Sequence, residues 1–157
     1  MNRCFIRTKY FGIFLLVMLI SCAVKNPDPK NEDPMLKKTL ETFFEKYKND
    51  SPSQAVDYLF ETNPDVAPSQ MKDLKDKLSS VSLLAGAYHG YEPITIQKKS
   101  SSLVYYSFLV RHERLPFRFI FIFYKPNEKW KILKFKFDDQ LDTELEQAGK
   151  IYYLQQN

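Results

Sequence analysis

Apolar residues recur along this chain with two different periods, and the change between them falls near residue 90. Before it, Leu36, Leu40, Phe43, Phe44 and Tyr47 sit at i, i+4, i+7, i+8 and i+11, which puts them on one face of a helix. Ser51-Pro52-Ser53-Gln54 has the form of a capping box with proline at the first helical position. It predicts a short second helix with Ala55, Val56, Leu59 and Phe60 inward. A third helix is predicted after Pro68, with Met71, Leu74, Leu78 and Val81 on its buried side and an end near Gly86.

From Tyr91 the period becomes two. Segments 91–99, 102–112, 117–125 and 130–138 are rich in Ile, Val, Phe and Tyr and read as strands. The links between them are short, so consecutive strands pair as antiparallel hairpins and the sheet is a meander. Asp138-Asp139 then reads as a helix N-cap, and Leu141, Leu145, Ala148 and Tyr152 trace one face of a last helix. The predicted fold class is α+β: N-terminal helices packed on a four-stranded antiparallel meander, with a C-terminal helix, all in one domain over residues 35–157.

The alternation also predicts which residues share a face. Pairing Tyr124 with Trp130 groups Phe117, Phe119, Phe121 and Phe123 with Leu133, Phe135 and Phe137, and a matching register adds Tyr105 and Leu109. This face is expected to meet the helices. The other would carry Val104, Tyr106, Phe108, Val110, Ile120, Ile122, Tyr124, Trp130 and Ile132, too apolar for a surface in water. Either the C-terminal helix covers it or another protein does. One helix is too narrow for four strands, so the expectation is a homodimer or an envelope protein partner, on an interface centred on Ile120, Ile122 and Trp130.

The start of the chain has a different character. Residues 1–9 hold Arg3, Arg7 and Lys9 with no acidic residue, and an apolar run extends from Tyr10 to Val24. As a helix that run spans only ~22 Å, against a bilayer hydrocarbon core of ~30 Å, so a signal peptide over residues 1–21 fits better than a membrane-spanning helix. It ends in Leu19-Ile20-Ser21-Cys22, which resembles the lipobox of bacterial lipoproteins. Acylation needs a thiolate nucleophile, which only cysteine supplies at position 22, and the small Ser21 suits a cleavage site directly before it. The resemblance implies fatty-acyl chains such as palmitate on Cys22, and two or more such chains hold a protein stably on a membrane. Ala23 follows where the enteric inner-membrane retention signal has aspartate, which favours the outer membrane. Residues 22–34, with Pro27, Pro29 and Pro34 among polar residues, read as the lipidated N-terminus and a tether reaching at most ~37 Å.

Charge and candidate chemistry narrow the functions. Losing the three leader cations takes the formal charge from +4 to +1, which removes the composition argument for nucleic-acid binding. The lysines at 125, 129, 131, 134 and 136 read as a solvated hairpin. The cysteines are Cys4 and Cys22 only, so the domain is expected to lack a disulfide. His89 and His112 stand 23 residues apart with no metal-ligand spacing around them, no G-x-S-x-G motif occurs, and glycines beyond the leader are Gly86, Gly90 and Gly149. No catalytic residue, metal site or cofactor is predicted.

Helices followed by an antiparallel meander, with Pro116–Lys125 and Trp130-Lys131-Ile132-Leu133 as its closing strands, resemble the nuclear transport factor 2-like superfamily of ketosteroid isomerase and SnoaL-type cyclases. The resemblance covers about residues 35–140. It implies a cystatin-like cone whose curved sheet wraps the helices around a pocket, into which Tyr58, Tyr88 and Tyr105 could direct hydroxyls. No catalytic residue of the isomerase maps onto this chain by a motif. The expectation is a membrane-anchored cell-envelope lipoprotein with a non-catalytic binding or interaction module. The alternatives are a small-molecule enzyme of isomerase or cyclase type and a structural subunit of an envelope complex.

Overall fold

The computed structural model describes residues 32–143 and residue 146. The leader, the lipobox with Ser21 and Cys22, most of the tether, and Leu145, Ala148 and Tyr152 lie outside the described residues. Three helices come first: α1 (Pro34–Asn49), α2 (Pro52–Phe60) and α3 (Pro68–Ala85). Each opens on a proline, whose fixed φ suits the first turn and whose missing N–H leaves no donor unsatisfied there. The Asp33 carboxylate accepts from the Met35 amide at 3.0 Å to cap α1, and Ser51 Oγ accepts from the Gln54 amide at 3.2 Å to cap α2. The chain leaves α3 through Gly86, whose φ of 84° is a conformation that glycine adopts without strain.

Four strands follow, β1 (Tyr88–Ser100), β2 (Leu103–His112), β3 (Phe117–Tyr124) and β4 (Lys131–Asp138), in one antiparallel sheet of order β1-β2-β3-β4. The α+β class and the meander therefore stand. A last helix begins at residue 141. Asp138 closes β4 rather than capping that helix: its Oδ1 accepts from the Gln140 amide at 3.1 Å in a tight turn.

The core forms where the helices meet one face of the sheet. All five predicted residues of α1 are buried, with Ala55, Val56 and Leu59 of α2 and Leu78 of α3. Met71, Leu74, Val81 and Phe60 pack partly buried at its edge.

The register of the sheet differs from the sequence expectation in two places. In the β2–β3 ladder Val110 faces Phe117, Phe108 faces Phe119, Tyr106 faces Phe121 and Val104 faces Phe123. Directly paired residues point to the same side, so Val104, Tyr106, Phe108 and Val110 join the phenylalanines in the core, while Tyr105 and Leu109 turn to the outer face. Between β3 and β4 the phenylalanine pairs hold (Phe119 with Phe137, Phe121 with Phe135), and then the ladder skips a residue. Ile122 pairs with Lys134 and Phe123 with Ile132, leaving Leu133 as a bulge. Ile132 is thus fully buried and Leu133 is 53% exposed, the reverse of strict alternation. Tyr124 pairs with Lys131, not Trp130. Trp130 belongs to the core cluster, and Ile120 and Ile122 remain on the outer face without it. Four apolar residues of β2 and Ile132 thereby leave the second face, and the broad apolar surface expected there contracts to a strip on β2 and β3.

Loops fix the ends of these elements. The Ile132 amide donates to Thr62 Oγ1 at 3.0 Å and Asn63 Nδ2 donates to the Ile132 carbonyl at 2.7 Å, so the α2–α3 loop satisfies the edge of β4. At the other end the Glu113 and Arg114 amides donate to the carbonyls of Ala87 and Ala85, each at 2.9 Å, docking the β2–β3 link on the end of α3.

Candidate functional site

The space between α1 and the sheet is filled by rings. Phe43 contacts Phe121 at 5.1 Å and Phe135 at 5.4 Å between centroids, Phe121 contacts Phe135 at 4.9 Å, and Phe44 contacts Phe108 at 5.4 Å. Most of these are edge-to-face pairs, the arrangement that ring quadrupoles favour. The side chains that could have lined a central pocket instead pack against one another.

Concave surface lies at one side of this core, where α1 passes the start of β1. An open groove of about 630 Å³ runs there. Its floor is aromatic: the Phe44 and Tyr91 rings stack at 3.7 Å with a 10° interplanar angle, and Tyr88 lies beside them. Glu41, Glu45 and Lys48 of α1 form one rim, and His89, Gly90 and Arg111 form the other. Arg111 is held in place, its Nε 3.2 Å from Glu92 Oε1 and its Nη2 donating to the His89 carbonyl at 3.4 Å. Gly90 makes this close approach feasible. Its φ is 125°, and a Cβ there would stand 3.0 Å from Arg111 Nη2.

Burial raises the pKa of both groove tyrosines, reinforced at Tyr91 by the charges of Glu41, Glu32 and Glu45. Both therefore present phenol hydroxyls at neutral pH. Behind Tyr88, His112 is buried, with Nε2 3.1 Å from the Tyr47 hydroxyl and its ring against those of Tyr88 and Phe117. Desolvation lowers its pKa below the ordinary histidine value, so this imidazole is neutral at pH 7. The groove thus offers stacking surface, hydroxyl donors, a rim that carries both carboxylates and Lys48, and Arg111 on the facing rim. That set binds by stacking, hydrogen bonding and charge. Among the described residues no group of three or more His, Cys, Asp or Glu is placed to hold a metal ion, and no helix is long and apolar enough to cross a membrane.

The three predicted pocket tyrosines do not converge. Tyr88 lines the groove. Tyr58 lies on α2 with Lys46 Nζ 5.8 Å from its ring centroid, and Tyr105 is on the outer face of β2, with the sheet between it and Tyr88. In sequence, Glu41, Glu45 and Lys48 away from the apolar face of α1, and Arg111 near the end of β2, look like any solvated surface. Gly90 amid Tyr88, His89 and Tyr91 was the available signal.

A second polar cluster lies where the tether meets the domain. Asp33 Oδ2 accepts from Trp130 Nε1 at 2.7 Å while its other oxygen caps α1, and Lys125 Nζ stands 5.0 Å from the Trp130 ring centroid. Partial burial pushes the Asp33 carboxyl up, but the bonds from Trp130, Met35 and Leu36 outweigh it and the pKa falls. Burial raises the pKa of Glu32 although its carboxylate bonds to the Tyr106 hydroxyl. Glu32 and Asp33, read from sequence as the end of the linker, are therefore joined to the folded domain. No protein-family model, curated protein or solved structure matches this chain.

Proposed function

We propose that this chain is a lipid-anchored protein of the bacterial cell envelope whose folded domain is a binding module rather than a catalyst. The ring-filled interior is the observation that carries the module reading. An isomerase or cyclase of the resembled superfamily works inside its cone, whereas here Phe43, Phe121 and Phe135 pack against one another between α1 and the sheet. Anchoring is supported by the charged start, the short apolar run and Leu19-Ile20-Ser21-Cys22 in register, and Ala23 favours the outer membrane.

Geometry adds a direction. The tether joins the domain at Asp33, beside Trp130, whereas Phe44, Tyr47 and Lys48 lie toward the far end of α1, a helix of 16 residues or about 24 Å. The α1 rim of the groove, from Glu41 to Lys48, therefore runs from the middle of that helix to its C-terminal end, away from the residue where the tether joins.

The anchor is tested by feeding cells an alkyne fatty acid and comparing the wild type with Cys22→Ala. Labelling of the wild type alone supports the anchor; equal labelling of both overturns it. Module function is tested by a photo-crosslinking residue at His89 on the exposed rim. A discrete adduct that Tyr91→Ala removes supports the groove as the binding surface, and an adduct unaffected by Tyr91→Ala rejects it.

A further inference from the structure

We infer that the groove between α1 and β1 takes a free peptide of about three residues by its two ends, the ammonium between Glu41 and Glu45 and the carboxylate at Lys48 and Arg111. This rests on the reading of the groove as the binding surface and names the class of ligand it holds.

A local irregularity builds the floor. Tyr88 pairs with His112, Gly90 with Arg111 and Tyr91 with Val110, so β1 has one residue more than β2 over this stretch and His89 is bulged. Residues three apart on a regular strand point to opposite faces. The bulge returns Tyr88 and Tyr91 to one face, that of the buried Val110 and His112. There α1 runs antiparallel to β1: Phe44 meets Tyr91 at 3.7 Å between centroids, and Tyr47 meets Tyr88 at 5.3 Å. The two phenols both line the groove and supply donors for a peptide's carbonyls.

Charge is sorted along that floor. Glu41 and Glu45 lie one turn apart on α1, on either side of Phe44, which places two carboxylates at the Tyr91 end. Lys48 lies ~4.5 Å further along the axis, next to Tyr47 and so at the Tyr88 end. Arg111 joins it from β2. Its neighbours Val110 and His112 are buried on the inner face, so its side chain starts from the outer face and reaches the groove past Gly90, where no Cβ blocks it. The tyrosines register this asymmetry: burial raises both, but the ionic residues acting on Tyr91 are Glu41, Glu32 and Glu45, whereas Arg111 acts on Tyr88 in the lowering direction.

These charges are open to a ligand. Glu45 and Lys48 have no ion-pair partner among the described residues, and Glu41 stands 4.0 Å from an exposed Lys37. Arg111 uses Nε on Glu92 and Nη2 on the His89 carbonyl, which leaves further donors of its guanidinium fork. Spacing then sets the ligand's length. From midway between Glu41 and Glu45 to Lys48 is ~8 Å of helix rise, and from Tyr91 to Tyr88 is ~10 Å of strand. An extended tripeptide separates its ammonium and carboxylate by ~10 Å, at about 3.4 Å per residue. A single amino acid is too short to meet both ends, and an internal segment of a protein has neither charge. The middle residue falls over the aromatic floor, where a ring or aliphatic side chain packs.

The test is isothermal titration calorimetry on the full chain in detergent micelles, with Ala-Phe-Ala, its N-acetyl form and its C-terminal amide. The free tripeptide should bind, and blocking either end should weaken binding about ten-fold or more, the loss expected when a charged hydrogen-bonding group is removed. Glu41→Gln with Glu45→Gln should abolish the effect of acetylation and keep that of amidation; Lys48→Gln with Arg111→Gln should do the reverse. All four residues are exposed, so both double variants should keep the wild-type urea midpoint. No binding of the free tripeptide, equal binding of its three forms, or end effects that do not separate between the two double variants would each overturn the inference. A Tyr91-dependent adduct at His89 alongside any of these results removes only the peptide and leaves the groove as the binding surface; loss of that adduct as well removes both.

Discussion

Replacing Ile132 and Leu133 by alanine, one at a time, probes the bulge that sets the inner face of β4. The two residues are adjacent and similar in volume, yet Ile132 is fully buried while Leu133 is 53% exposed. Ile132→Ala removes three buried carbons, and β4 cannot slide to fill the space because the Ile132 amide and carbonyl are tied to Thr62 and Asn63. The loss should be about 2–5 kcal/mol. Leu133→Ala removes a side chain largely in water and should change stability by about 0.5 kcal/mol or less. Urea denaturation reads this directly, because the protein has one tryptophan, Trp130, which is buried and bonded to Asp33 and should report unfolding by fluorescence. With a urea slope of about 1–3 kcal/mol/M, the midpoint should drop by roughly 1–3 M for Ile132→Ala and hardly move for Leu133→Ala. A Leu133→Ala loss as large as that of Ile132→Ala would refute the bulge and restore simple alternation.

A chain beginning at Met35 lacks Glu32 and Asp33, and with them the α1 cap and the indole partner. It should be less stable than one beginning at Asn31 by about 1–3 kcal/mol, and equal melting temperatures for the two would refute this. Burial holds the His112 pKa below its ordinary 6.5, so the unfolded chain takes up the proton first. The stability this contributes is fully present above pH 6.5 and is lost as pH falls toward the folded-state value. Wild-type stability should accordingly decline between pH 7 and 5.5 more steeply than that of His112→Gln; parallel pH profiles would show that the imidazole is not desolvated.

The sequence revealed the elements better than their alignment. Three helix faces were legible because Leu36 to Tyr47, Ala55 to Leu59 and Met71 to Val81 repeat at helical spacing, and the starts of α2 and α3 because Pro52 and Pro68 mark them, whereas Pro34, which opens α1, reads as part of the tether. The phenylalanines of β3 were legible as core for a similar reason. Their partners on β2 were not, since Tyr105, Tyr106, Phe108, Leu109 and Val110 are apolar on both sides of the strand, and alternation cannot say which set faces in. The inward set is the one compatible with tertiary contacts such as the Glu113 and Arg114 amides bonded to Ala87 and Ala85, which alternation does not contain. The bulge at Leu133 was hidden because no glycine or proline marks it. The groove was hidden because its floor, the Phe44–Tyr91 stack, joins residues 47 positions apart.

The central claim, that a membrane-held module begins at an acylated cysteine, is tested most directly by mass spectrometry of the N-terminal peptide of the protein isolated from membranes. The peptide should begin at Cys22 and carry the added mass of a diacylglyceryl group, with or without an N-acyl chain. A peptide beginning at Met1, or one containing Cys22 with an unmodified thiol, would contradict the claim.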